Sequence, residues 1–259
     1  VSSEAPESAP QDEDRPLLAH LLELRTRLMH SAGVVLVLFL IAYPFREPIY
    51  SALAGPLMAV LPEGATMIAT QVATPFLIPL KVALVGAFFA SVPYLLYQLW
   101  SFVAPGLYRH EKKLVWPLLI SSIILFYAGM AFAYFVVFPL IFEFFAAATP
   151  DGVSMMTDIG EYLSFIMTLF FAFGASFEVP IATILLVRSG ATTRQALAAK
   201  RPYVIVGAFT VGMLLTPPDV ISQVLLAVPV WLLFELGIFF SRWFTPPATE
   251  ASDDAASGD

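Results

Sequence analysis

Two carboxylates, Glu23 and Glu111, stand apart from the other acids of the chain because bases surround them. Glu23 lies beside Arg25 and Arg27, and Glu111 beside Arg109, Lys112 and Lys113. Two chemistries fit this setting. The first is local pairing, since Glu23 and Arg27 have the i,i+4 spacing that brings opposite charges together on one helix. The second is capture of a ligand's guanidinium groups, for which an isolated carboxylate offers bidentate, charge-assisted hydrogen bonds. Spacing alone does not choose between them.

Glu178 poses a different problem, because it sits in a long apolar run and is followed closely by Pro180. A carboxylate at the centre of a bilayer costs at least ~2.5 to 3.5 kcal/mol on insertion scales. It must be protonated, paired or facing water; a neutral Glu bonded between packed helices is the plain alternative. Pro180 donates no backbone hydrogen bond, so a kink is expected there. Glu235 lies nearer the end of the last apolar run, where a structural role weighs more. Thr216, Pro217, Pro218 and Asp219 read as a rigid turn in which Asp219 caps the helix that follows.

No GxSxG, HExxH or Walker loop occurs, and no paired membrane aspartates, so nothing supports an enzyme or an ATPase. With no Cys, and His only at 20, 30 and 110, metal and thiol chemistry have no foothold and no cofactor is expected. Energy for any transport has to come from outside the chain.

The elements that position these groups are membrane helices. The 259 residues are 59% hydrophobic and only 13% charged, with a mean hydropathy of +0.81, and the apolar residues fall in long runs separated by short charged clusters. The net charge of -7 is concentrated in acidic ends. Residues 1–14 and 244–259 read as disordered tails, and 15–243 as the transmembrane domain. An acidic stretch ahead of the first apolar run argues against a cleavable signal peptide.

The fold class is therefore an all-α integral membrane protein with six transmembrane helices, preceded by a short amphipathic interfacial helix over residues 16–28. The spans fall at about 28–44, 74–102, 114–138, 162–187, 203–215 and 220–240. Pro48, Pro56, Pro62 and Gly64 break the helical pattern over 46–72, so Pro56, like Asp219, is read as structural in an outer loop. Tyr97 and Trp100 read as an aromatic girdle, and Lys81 sits near the outer end of span two.

Span five is short for ~30 Å of hydrocarbon, since its residues rise only about 20 Å. Basic residues decide that it crosses, because Lys200 and Arg201 before it and Arg242 after span six belong on one side. Both termini are then cytoplasmic, Arg46 is the only base in an outer loop, and Glu178 is near the bilayer midplane. A span this short implies thinned or deformed bilayer beside it.

Several long motifs resemble the TatC family in order, from about residue 14 to 243. They are HLLELRTRL at 20–28, FVAPGLYRHEKK at 102–113, FYAGMAFAYFVVFP at 126–139, SFEVP at 176–180 and KRPYVIVGAFTVGMLLTPPDVISQ at 200–223. The resemblance implies a receptor for the twin-arginine signal peptides of folded cargo, in the bacterial cytoplasmic (inner) membrane, with Glu23 and Glu111 in the binding site and Arg25 and Phe102 at further recognition positions. Glu178 matches the family's intramembrane glutamate on a concave face. The same resemblance implies docking of the single-span subunits TatA and TatB on spans five and six, with Met213, Thr216 and Gln223 as contacts. It implies a homo-oligomer within a TatBC-type complex, transport driven by the proton-motive force, and no nucleic-acid partner. A solute transporter titrating at Glu178 is the competing reading, and it would need repeated halves that the sequence does not display. A membrane scaffold without a ligand is the other.

Overall fold

In a computed structural model the described residues are 14–59, 67–107, 115–150, 156–215 and 220–244. They form ten α-helices: α1 (Asp14–Ala42), α2 (Arg46–Met58), α3 (Thr74–Leu107), α4 (Val115–Phe132), α5 (Phe138–Ala148), α6 (Ile159–Ser176), α7 (Val179–Arg188), α8 (Arg194–Ala199), α9 (Arg201–Leu215) and α10 (Val220–Phe244). Five helical runs are long and apolar enough to cross a membrane, and α9 is a shorter apolar helix. We call the end of the bundle where α1 begins proximal, and the end where α3 and α6 begin distal.

The all-helical membrane architecture matches the sequence reading, with four differences of detail. The separate interfacial helix expected over 16–28 is absent, because α1 runs unbroken for 29 residues. No Pro or Gly interrupts it between Leu17 and Ala32, so nothing stops the helix where it would leave the hydrocarbon. At ~1.5 Å per residue it is about 43 Å long and overshoots a ~30 Å core.

The segment expected to be broken over 46–72 is helical as far as Met58. A 3-10 turn at Tyr43–Phe45, carrying Pro44, separates α2 from α1. Pro56, expected in an outer loop, lies inside α2 and is buried. A proline frees the carbonyl four residues earlier, here that of Ala52, and the Tyr134 hydroxyl donates to that oxygen at 2.9 Å. The Tyr162 hydroxyl donates to the neighbouring Leu53 carbonyl at 2.7 Å. Two tyrosines thus supply bonds that lipid cannot.

Span three does not end at Pro139 but continues through it to Ala148. Residues Ala133–Val137 form a π-turn in which the Phe138 amide reaches back to the Ala133 carbonyl. That local widening accommodates the residue without an amide. Trp100, expected at the membrane interface, is instead 5% exposed, while Tyr97 is exposed. Hydropathy sets a residue's depth, not the side of the helix on which it lies.

α1 packs mainly on α3, α4 on α6, and α10 on α7 and α9. The core is centred on Phe138, Ile141, Leu163, Ile166, Leu169 and Phe173. Leu36, Leu40, Ile124 and Leu214 are exposed, an outer surface suited to lipid rather than water. Close helix contact depends on small residues, as expected in membranes. A Cβ on Gly129 of α4 would stand 2.5 Å from the Phe173 carbonyl oxygen of α6, and one on Gly237 of α10 would stand 2.8 Å from the Thr183 Cβ of α7.

The distal ends are tied together by Asp158, the N-cap of α6. Its Oδ1 accepts from the Gly160 and Glu161 amides at 2.8 and 3.1 Å. Its Oδ2 accepts from the Thr70 amide and hydroxyl at 2.8 and 2.7 Å. An isolated parallel bridge between Ile68 and Asp158 completes the tie. The Thr70 hydroxyl, then the Thr70, Glu161 and Gly160 amides, hold the carboxyl at about 2, below its ordinary 3.8, against a small opposing effect of desolvation.

Two outcomes follow from this packing. Gly129→Val forces overpacking worth about 1 to 3 kcal/mol, so the thermal unfolding temperature in detergent should fall by several degrees, whereas Gly33→Ala, inside α1 with nothing within 4 Å of the new Cβ, should not lower it. A carboxyl whose pKa is lowered in the fold stabilises above its ordinary value and ceases to do so as pH falls through the folded one. The melting-temperature advantage of wild type over Asp158→Asn should therefore be full above about pH 4 and vanish as pH approaches about 2.

Candidate functional site

At the proximal end, α1 presents His20, Glu23 and Arg27 at i, i+3 and i+7, successive neighbours along one face. Arg27 donates to Glu23 Oε1 through Nε at 3.0 Å and Nη2 at 2.6 Å. The same guanidinium donates to the Gln98 amide oxygen at 3.1 Å and the Ser101 carbonyl at 3.2 Å, both on α3. The His20 ring stacks on Phe102 of α3, with centroids 4.2 Å apart. Glu23 and Phe102 therefore meet at one α1–α3 seam, pinned by Arg27.

The local pairing that the spacing allowed is present, yet it does not exhaust the carboxylate. Both Arg27 bonds fall on Oε1, the Glu23 side chain is 43% exposed, and Oε2 has no partner among the described residues. Such an oxygen can accept from a second cation while the first keeps its orientation fixed. Arg25 is exposed on α1 and, at ~100° per residue, projects about 200° around the helix from Glu23. Glu111 lies outside the described residues.

Glu178 sits where α6 gives way to α7, at the expected break before Pro180. Trp100 Nε1 of α3 donates to Ser122 Oγ of α4 at 3.2 Å, and that hydroxyl donates to Glu178 Oε2 at 2.6 Å. A relay of three side chains thus joins three helices inside the bundle. Oε1 of Glu178 is buried and has no hydrogen-bond partner among the described residues, an arrangement that costs free energy. Trp100 and Ser122 were not foreseen as its companions, for no local spacing links residues so far apart in the chain.

Glu235 of α10 takes both arms of the Arg201 guanidinium, Nε to Oε1 at 2.5 Å and Nη2 to Oε2 at 2.7 Å. This pair fixes the proximal start of α9 against α10, the structural role weighed from sequence. Gln223 also works within the chain, donating to the Phe209 carbonyl of α9 at 2.9 Å. Met213 is 55% exposed on α9, and Thr216 and Asp219 lie outside the described residues. Arg27 was visible from sequence as the i,i+4 partner of Glu23, whereas its bonds to Gln98 and Ser101 of α3 were not.

Comparison with known proteins agrees with this architecture. Residues 19–229 match the family described as Sec-independent protein translocase protein (TatC). A TatC of Azotobacter chroococcum mcd 1 is 58% identical over 246 residues, covering 95% of this chain and 96% of its own. The TatC of Escherichia coli (strain K12) is 56% identical over 233 residues, covering 90% of each. A crystal structure named Twin Arginine Translocase Receptor TatC superposes with a TM-score of 0.79 at 38% identity, over 88% of this chain and 100% of the other. With a matching family over most of its length, high identity to curated relatives and the same helical architecture, the chain belongs to the TatC family of Sec-independent protein translocase proteins.

Proposed function

We propose that this chain is the signal-peptide receptor and core subunit of a twin-arginine translocase, and that Glu23 and Glu111 bind the two arginines of the signal. One observation carries the reading: Glu23, at the proximal end, is anchored through Oε1 with no partner for Oε2 among the described residues, and lies one turn from His20, whose ring stacks on Phe102. An arginine side chain presents a planar fork for a carboxylate and a face that stacks on an aromatic ring. Lysine matches neither feature, which accounts for a preference between the two bases. Arg27 is a positioning residue here, and Arg25 a further recognition position reached from the other side of α1.

In this reading residues 15–243 cross the bacterial cytoplasmic membrane six times, α9 being the short fifth crossing, with both termini and the proximal face cytoplasmic. The acidic ends read as tails from sequence lie outside the described residues, apart from Asp14 and Phe244, which begin α1 and end α10. TatA and TatB dock along α9 and α10, where Met213 offers apolar surface and Gln223 holds the two helices in register, with Thr216, outside the described residues, as a further contact. Copies of the chain assemble with TatB into the receptor complex, and the proton-motive force drives passage of folded cargo. The relay at Glu178 keeps a polar group within the bundle where α6 and α7 part.

Crosslinking of a twin-arginine signal peptide to the membrane-embedded protein tests this, with a twin-lysine peptide as control. A hydrogen-bonded charge contributes about 1.5 to 3 kcal/mol, so Glu23→Gln and Glu111→Gln should each weaken arginine-specific capture by about tenfold or more. Unchanged capture in both variants contradicts the reading and leaves Glu23 as a structural partner of Arg27.

A further inference from the structure

A second polar site lies at the distal end, away from Glu23 and Glu178. Lys81 of α3 is exposed and directs its ammonium to Ser164 Oγ of α6 at 2.7 Å. Ser164 in turn donates to the Gly160 carbonyl at 2.7 Å. An ammonium has three donors, so two remain. Among the described residues Lys81 makes no ion pair, although Glu161, exposed on the next turn of the same α6 face, is a near neighbour of Ser164 in helical register. The Ser164 hydroxyl thus holds the cation of α3 against α6, one turn from the acidic residue Glu161.

Ser164, Glu161 and Thr168 form the polar edge of a cavity of about 440 Å³ whose other wall is Leu57, Phe142, Phe145 and Phe165. Ser164 lies five residues into α6, and Lys81 seven into α3, so the polar edge is roughly 7 to 10 Å inside the helix starts. Both residues thus lie within the first two turns of apolar runs that begin at Thr74 and Ile159, close to their distal ends. The cavity thus offers an anion and an aromatic wall, with the Lys81 ammonium held at its edge through Ser164, groups that match the ammonium, acyl chain and phosphate of a zwitterionic lipid.

We propose that this cavity binds one phospholipid with a phosphoethanolamine headgroup. The phosphate takes the free donors of Lys81, the primary ammonium donates to Glu161, and an acyl chain lies along Phe142, Phe145 and Phe165. Choline has no N–H to give Glu161, and a glycerol headgroup brings no positive charge to it. Bound there, the lipid braces α3 against α6 at the end that Asp158 also ties.

Native mass spectrometry of the purified full chain, titrated with phosphatidylethanolamine, phosphatidylcholine and phosphatidylglycerol of identical acyl chains, reads the preference directly. The ethanolamine lipid should bind wild type about tenfold tighter than either other lipid, as one charge-assisted bond predicts. Glu161→Gln should erase its advantage over phosphatidylglycerol, and Lys81→Gln should weaken all three. Equal affinities in wild type overturn the proposal without recourse to any variant, and so does an ethanolamine preference that survives both substitutions.

Discussion

The Arg27 guanidinium donates to Glu23, to the Gln98 amide and to the Ser101 carbonyl, and in doing so joins the proximal end of α1 to α3. Among the described residues no other hydrogen bond links these two helices. Apolar packing holds them side by side but does not fix their register, because lipid is as apolar as leucine and supplies no hydrophobic drive. Register comes from the directional contact. With it set, Glu23 lies at the α1–α3 seam one turn from the His20–Phe102 stack, and among the described residues its Oε2 has no partner.

The same constraint, that polar groups in lipid must be satisfied within the chain, governs the irregular parts of the fold. Pro56 frees the Ala52 carbonyl and Tyr134 bonds it. Pro139 follows a π-turn that rearranges the ladder before it. At Pro180 the helix divides outright, and Glu178 enters the break with Ser122 and Trp100 attached. At Pro56 and at Pro180 the departure from regular helix is thus also a place where a side chain from elsewhere in the bundle is recruited. The break at Glu178 differs in that one buried carboxylate oxygen has no partner among the described residues.

Much of this was legible from residue order alone. Long apolar runs gave the helical membrane class, and the residues available for pairing with Glu23 could be named from i,i+4 spacing. The break at Pro180 followed from the missing amide. What escaped was the sidedness of helices and every contact distant in sequence. Trp100 looked like an interfacial aromatic because composition reports how deep a residue lies and not what it faces. Pro56 looked like a helix breaker because its rescuer, Tyr134, is 82 residues away from Ala52. Arg27 was visible as a charge, whereas its hold on Gln98, 71 residues on, was not. The second carboxylate of the motif, Glu111, lies outside the described residues, so its placement rests on sequence.

A receptor site of this kind stands or falls on whether Arg27 orients Glu23 for a ligand or merely neutralises it. The deciding measurement is the affinity of a twin-arginine signal peptide for wild type, Arg27→Gln, Glu23→Gln and the double variant. An orienting role predicts that Arg27→Gln weakens binding severalfold when Glu23 is present and adds no further loss when it is already Gln, the non-additivity expected of groups acting as one unit. Tighter binding in Arg27→Gln, or two losses that simply add, would contradict it.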